Sequence, residues 1–351
     1  MKIIHTADNH LGAPLLGLAP QVAKARREEL KNTFLRLLRF ADEEGVAAVF
    51  IAGDLFDTPT PSPSLLREIT DGIAACKAEV FYVTGNHDDG VSFPYAPSNF
   101  HRFDRGVKSY RLGEITVSGA DYAYVQDDLL QGVKLDENTC NFFLLHGDLR
   151  QSFSYGKGKI NLSALADKNI DYLALGHIHG DGPSGKIDRR GSYAYVGTLE
   201  GHGFDECGQK GFFLLEIGEG IRRTFVPFAT RTYHEIEVAL DGVASAREID
   251  ERVAQKVAQI PSKDGIKVRL KGRLSAGIAS PVRRLQESLS KAFFAAKVED
   301  ESFSAVDFAS FEGQKTLKGE LVRLAKSLPD AEREEVLTIA FRALSGEDLE
   351  G

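Results

Sequence analysis

Residues 46–57 read VAAVFIAGDLFD: seven apolar residues, then Gly53-Asp54, then a second carboxylate at Asp57. An unbroken apolar run of that length, bounded by glycine, is what a strand covered on both faces requires. Its carboxyl end turns polar at once. In open α/β sheets ligands bind beyond the carboxyl ends of the strands, so the fold and the chemistry depend on whether other strands end the same way.

They do, on both sides. Upstream, KIIHT is a short apolar strand that runs into Asp8-Asn9-His10. It is joined to the first stretch by RREELKNTFLRLLRFADEEG, where Leu30, Phe34, Leu37, Leu38 and Ala41 recur at helical spacing and Gly45 is a stop. Downstream, SPSLLREITDGIAACKA is helical, with Ser62 or Ser64 as N-cap. EVFYVT then ends in Gly85-Asn86-His87-Asp88, CNFFLL in His146-Gly147-Asp148, and DYLAL in Gly176-His177-Ile178-His179. SYAYVGTL and KGFFLLEIG read as antiparallel strands. From about residue 231 the pattern changes to strand, helix (SAREIDERVAQKVAQI), strand (IKVRLKGRL), helix (SPVRRLQESLSKAFFA) and an extended piece near AKVEDES, a small α+β module. The last residues read as two helices broken at Pro329.

Five loops that converge would gather His, Asp and Asn side chains in one crevice. Mixed imidazole and carboxylate donors without thiolate suit Mn, Fe or Zn better than Mg or Ca. In D-x-H and H-x-H, residues i and i+2 of an extended chain point the same way. A carboxylate between two ions can bridge them, and two ions about 3.5–4 Å apart clamp a phosphoryl centre.

The ordered set D-x-H, G-D-x-x-D, G-N-H-D, H-G, G-H-x-H resembles the signature of calcineurin-like metallophosphoesterases, over about residues 1–220. More narrowly, IIHTADNHLG, RREELKNTFLRLLRFADEEGVAAVFIAGDLFD and VTGNHD resemble the SbcD-like DNA-repair exonucleases. The resemblance implies an α/β fold, a metallophosphoesterase β-sandwich flanked by helices in residues 1–230. It also implies a small α+β capping, DNA-binding domain in 231–310 and a C-terminal helix-loop-helix in 311–351 that docks a partner. By motif, Asp8, His10 and His179 would hold one divalent ion, Asn86, His146 and His177 a second, and Asp54 would bridge both. Mn(II) is the first choice for the ions, with Fe or Zn as alternatives. His87 would orient or protonate the leaving oxygen, and Asp88 would hydrogen-bond His87 and fix its tautomer. The nucleophile would be water or hydroxide activated by the ions. The implied activity is metal-dependent cleavage of DNA, with an SbcC-like coiled-coil ATPase as partner and a second copy of the chain as another. The alternative is a small-molecule phosphodiesterase or phosphatase of the same superfamily, since fold does not settle substrate.

Other residues read more plainly. His5, His101, His202 and His234 are expected to be structural or surface histidines, His202 being the one placed to line the crevice. The loop DDGVSFPYAPSNFHRF reads as packed surface, with base stacking by its aromatics as the sharper reading. In SFSYGKGK, Lys157 and Lys159 are candidate phosphate contacts. In KVRLKGR, period-2 alternation sets Lys267, Arg269, Lys271 and Arg273 on one face and Val268 and Leu270 on the other.

Composition agrees with a soluble globular chain: 351 residues, 42% apolar and 27% charged. The net charge of −8 does not itself suggest nucleic acid, but Ser262 to Lys297 holds nine Lys/Arg against two acidic residues. Cys76, Cys140 and Cys207 lack C-x-x-C spacing and read as free thiols of a reducing compartment. No apolar run reaches membrane length and MKIIHTADNH is no signal peptide, so no membrane association and a cytoplasmic location are expected.

Overall fold

A computed structural model describes residues 1–104, 106–150, 156–180, 182–274, 278–304 and 308–344; residues 152–155 of the SFSYGKGK stretch lie outside them. In chain order the strands are β1 (Lys2–Thr6), β2 (Ala48–Ala52), β3 (Glu79–Val83), β4 (Phe100–Arg102), β5 (Lys108–Leu112), β6 (Ile115–Gly119), β7 (Cys140–His146), β8 (Asp148–Arg150), β9 (Lys159–Asn161), β10 (Tyr172–Gly176), β11 (Ser184–Lys186), β12 (Ser192–Tyr195), β13 (Gly211–Ile217) and β14 (Ile221–Pro227). They form two six-stranded sheets, ordered β14-β13-β1-β2-β3-β4 and β11-β12-β10-β7-β6-β5. β1 to β4 run parallel, as do β6, β7, β10 and β12. Of the two strands expected to be antiparallel, β13 is so against β1 and β14, but β12 runs parallel to β10 and antiparallel only to the short β11.

The quoted run is apolar throughout because β2 is covered on both faces. Phe50 packs with Phe81 and Val83 against Phe142, Leu144, Tyr172 and Ala174 of the second sheet, so the sheets face each other. Val49 and Ile51 point the other way, into a core with Leu30, Phe34, Leu37 and Leu38 of α1 (Pro20–Glu43) and Ile69 and Ile73 of α2 (Pro63–Ala75). On the far side of the second sheet Phe143, Leu145, Leu173 and Leu175 form a third core with Val125, Leu130 and Leu165. This is the expected mixed α/β fold. Each large side chain so buried contributes roughly 1.5–3 kcal/mol. Ser62 is the cap of α2, accepting from the Leu65 N–H at 3.3 Å. In the loop after β3, Phe93 and Phe100 are buried beside Tyr82, which is the packed reading, while Tyr95 is exposed.

The chain divides into two compact units, the first comprising Met1–Glu235, Pro261–Ile266 and Phe293–Ala295. Most of a three-stranded sheet, ordered β15 (Tyr233–Ala239), β16 (Gly265–Leu274), β17 (Ala295–Ser304), lies in the second. That unit also holds α4 (Ala246–Val257) and α5 (Val282–Ala292), which bury Ile249, Val253, Leu285 and Leu289. Val268 and Leu270 of β16 are buried as the alternation requires. The opposite, basic face is paired: Lys267 with Glu299, Arg269 with Glu301 and Lys271 with Glu237. At the end of the chain α6 (Leu317–Ala325) and α7 (Asp330–Leu344) bury Val322, Ala325, Leu337 and Phe341 between them. Leu317, Leu324, Val336, Ile339 and Leu344 remain exposed. Among the described residues no disulfide joins Cys76, Cys140 or Cys207. No described helix is long and apolar enough to cross a membrane.

Candidate metal centre

The five polar strand ends belong to β1, β2, β3, β7 and β10, and the parallel pairing within each sheet puts them at one end of the first unit. Close approach there depends on glycine. A Cβ on Gly53, whose φ is +90°, would lie 2.2 Å from Nδ1 of His146; one on Gly85 would lie 2.1 Å from Oδ1 of Asp54. Backbone strain gathers at the same place. Among the described residues seven non-glycine residues have positive φ, and four of them are Asp8, His10, Asp54 and His177. Side chains held in that region cost free energy and persist where surrounding structure over-determines them, typically at functional sites.

The donor atoms fall into two groups with Asp54 between. Asp8, His10 and His179 offer ligand atoms within 4.8 Å of one another. In the second group Oδ1 of Asn86 lies 3.0 Å from Nε2 of His146 and 3.0 Å from Nδ1 of His177. Oδ2 of Asp54 lies 3.6 Å from Nε2 of His10 and 3.3 Å from Nε2 of His146, while its Oδ1 accepts the His87 N–H at 2.8 Å. The seven residues named from the motifs as ligands are thus brought together.

Hydrogen bonds at the outer ring nitrogens decide what the inner ones present. His10 donates Nδ1–H to Asp57 at 3.1 Å, His179 donates Nδ1–H to Glu206 at 2.8 Å, and His146 donates Nδ1–H to the Ala52 carbonyl at 2.9 Å. Each Nε2 then faces inward, on His10 and His179 as a lone pair and on His146 as the nitrogen whose proton an ion must displace. The Nε2 atoms of His10 and His179 stand 3.0 Å apart, a separation at which two lone pairs repel unless a cation or proton lies between them. His177 is reversed: Nε2 faces Asp148 at 3.3 Å and Nδ1 faces the site. The donor set therefore fits divalent ions.

The titration of the chain by itself agrees. Burial alone would lower the His146 pKa, but a hydrogen bond to Asp54 and the charges of Asp54 and Asp8 raise it to about 9. Asp54, which burial would raise, is held down to about 2 by the same hydrogen bond and by the imidazole charges. Burial raises Asp8 and lowers His10 and His177.

His87 stands at the mouth, its side chain 43% exposed and its ring 4.6 Å from that of His10. Asp88 is not its partner, contrary to expectation. The Asp88 carboxylate is fully buried and accepts from the Tyr82 hydroxyl at 2.6 Å, the Gly85 N–H at 2.7 Å and the Phe56 N–H at 3.1 Å. Burial and the Asp54 charge push its pKa up to about 6. The carboxylate beside His87 is Asp57, 3.5 Å from Nδ1. Of the four histidines read as structural, His5 packs on Tyr172 and Phe213, His101 on Phe81 with Glu79, and His234 on Asp264. His202 instead borders the site, 5.2 Å from His10 ring to ring, and shares Glu206 with His179. Sequence reading assigned no role to Glu206 or Asp148. Glu206 lies in a loop with no periodic pattern; Asp148 was in view in His-Gly-Asp. Lys159 is committed to Asp148 at 2.7 Å, and Lys157 lies 4.0 Å from Asp89.

Comparison with known proteins adds a family. The model of the calcineurin-like phosphoesterase family matches residues 1–181. Among solved structures, the chain is similar to a dimetal phosphatase from Danio rerio, at 10% identity and a TM-score of 0.41, covering 65% of this chain and 99% of that one. It is also similar to GAP50, the anchor in the inner membrane complex of Plasmodium, at 13% identity and a TM-score of 0.40, covering 65% and 84%.

Proposed function

The chain belongs to the calcineurin-like phosphoesterase family, and from that premise we propose that it is a two-ion phosphodiesterase whose substrate is DNA. The observation that carries the phosphodiester reading is the pair of donor groups with Asp54 between them, open to solvent beside His87. Divalent ions held there, Mn(II) first among them, would supply Lewis acidity and lower the pKa of water. The residues of the chain supply the rest. Asp57, Glu206, Asp148 and the Ala52 carbonyl orient the four imidazoles. His87 holds Asp54 through its N–H and presents an exposed imidazole to protonate the leaving oxygen.

DNA is supported by the N-terminal resemblance to SbcD-like nucleases and by the basic run from Ser262 to Lys297. The exposed apolar residues of α6 and α7 support docking of an SbcC-like ATPase. Replacing Leu324 and Ile339 by Asp should abolish co-elution with the purified ATPase and spare hydrolysis of a small phosphodiester. Undiminished co-elution contradicts the docking. One observation favours a second substrate reading: glutamates on the flanking strands pair with Lys267, Arg269 and Lys271, which limits the positive field that β16 offers to phosphates. A small phosphodiester would not need that field. Supercoiled plasmid, linear duplex and bis-p-nitrophenyl phosphate, each with Mn(II), separate the readings. Cleavage of either DNA supports the first. Hydrolysis of the small ester alone supports the second, and no hydrolysis of any contradicts both.

A further inference from the structure

We propose that Glu206 is a positioning residue: it holds His179 in the Nδ1–H tautomer, so that Nε2 is turned as a lone pair toward the ion site. The proposal rests on the reading of His179 as an ion ligand. Its own support is the way the carboxylate is built in. Oε1 of Glu206 accepts from Nδ1 of His179 at 2.8 Å, and Oε2 accepts from Nδ1 of His202 at 2.9 Å, from the His202 N–H at 3.0 Å and from the Thr198 hydroxyl at 3.3 Å. Four donors from three residues therefore fix it, on a side chain only 12% exposed.

The loop carrying Glu206 is fastened at both ends. At one end Glu200 is buried and accepts from Arg26 at 2.8 Å and Thr33 at 2.8 Å. At the other, Gly208 donates its N–H to the Tyr233 carbonyl at 2.8 Å. His179 is held from its backbone as well, since its carbonyl accepts from Lys210 at 2.9 Å. The ring has no freedom to swap nitrogens without breaking the charge-assisted bond to Glu206.

His179, His202 and Glu206 also have donor atoms close enough to invite a further ion. Their separations of 2.8 and 2.9 Å are those of N–H···O hydrogen bonds. An ion on Nδ1 of His179 while Nε2 served the first group would require an imidazolate stripped of both protons, whereas the 2.8 Å separation from Oε1 of Glu206 is that of a ring N–H donating to a carboxylate. Glu206 is thus an acceptor of imidazole protons, and His202 is held on the same carboxylate.

Titration of the metal-free protein with Mn(II), read by electron paramagnetic resonance, tests this. The wild type should bind two equivalents. Glu206→Gln should retain one at wild-type affinity, on the Asn86, His146 and His177 side, and weaken the other about 10–100-fold. His202→Ala, which leaves Glu206 facing His179, should keep both. Two unchanged equivalents in Glu206→Gln, or a third wild-type equivalent that disappears in His202→Ala, overturns the proposal. A second measurement needs no variant and no metal. Nitrogen-15 spectra of the histidine rings in the metal-free wild type, taken above their titration, should show His179 protonated at Nδ1. A proton at Nε2 overturns the positioning role. If the wild type binds no ion, the metal reading fails, and the tautomer still decides the part played by Glu206.

Discussion

His10 and His179 come from strand ends in different sheets, yet their Nε2 atoms face each other at 3.0 Å with both Nδ1 protons already given to carboxylates. Two acceptors in that position are relieved by a cation. Ions that bind the folded chain and not the unfolded one stabilise it, by about 2.7 kcal/mol at a hundredfold excess over Kd. Adding Mn(II) to chelator-treated protein should raise Tm by several degrees, and EDTA should reverse the rise. An unchanged Tm at saturating Mn(II) would contradict this.

Metal affinity on the Asn86, His146 and His177 side should depend on pH through His146. Its pKa is raised to about 9, so below that pH Nε2 carries a proton that an ion must displace. His177, lowered by burial, is already neutral. Affinity should therefore rise about tenfold per pH unit from neutrality up to about 9 and level off above it. Calorimetric titrations in buffers of different ionisation enthalpy should count one proton released at neutral pH. Affinity independent of pH over that window would contradict the assignment.

His87→Ala should keep both ions and lose most turnover, because the side chain is exposed at the mouth and only its backbone N–H holds Asp54. A positioned acid is commonly worth about 10²–10⁴-fold in rate. The comparison is turnover of bis-p-nitrophenyl phosphate alongside metal content. A variant with full turnover, or one that has lost an ion, does not fit the role.

Glu200→Ala should destabilise the first unit. It leaves Arg26 buried with Glu29 as its remaining carboxylate and removes the acceptor of Thr33 and of the Thr230 N–H. Breaking a buried pair in this way costs about 3–5 kcal/mol, and the surviving Glu29 contact places the loss near the lower end. Urea unfolding measures it. A loss below about 1 kcal/mol would mean that the network contributes little.

The strands and the residues at their ends were legible because both signals are local: an apolar run marks the strand, and the polar motif follows within a few residues. Asp8, His10, Asp54, Asn86, His146, His177 and His179 could all be named from text that sits beside a strand. What surrounds them could not. Glu206 meets His179 across 27 residues of chain, and Asp57 meets His10 across 47. Asp88 misled because adjacency to His87 suggested a contact, while its backbone aims the carboxylate into the core at Tyr82. The basic face of β16 was read correctly as a face, but Glu237, Glu299 and Glu301, which pair with it, stand on other strands. β12 is antiparallel to β11 as read, but its parallel pairing with β10 was not legible, because a parallel and an antiparallel strand of that length carry the same pattern.

A bridge is more than two neighbouring sites, and Asp54, within 3.6 Å of Nε2 on His10 and 3.3 Å of Nε2 on His146, is where the two donor groups meet. Metal content of the purified wild type and of Asp54→Ala, measured by plasma mass spectrometry after equilibration with Mn(II), tests this most directly. The wild type should carry two ions per chain and Asp54→Ala should carry none, with hydrolysis lost. One ion or none in the wild type, or two retained in Asp54→Ala, would contradict the bridged two-ion centre.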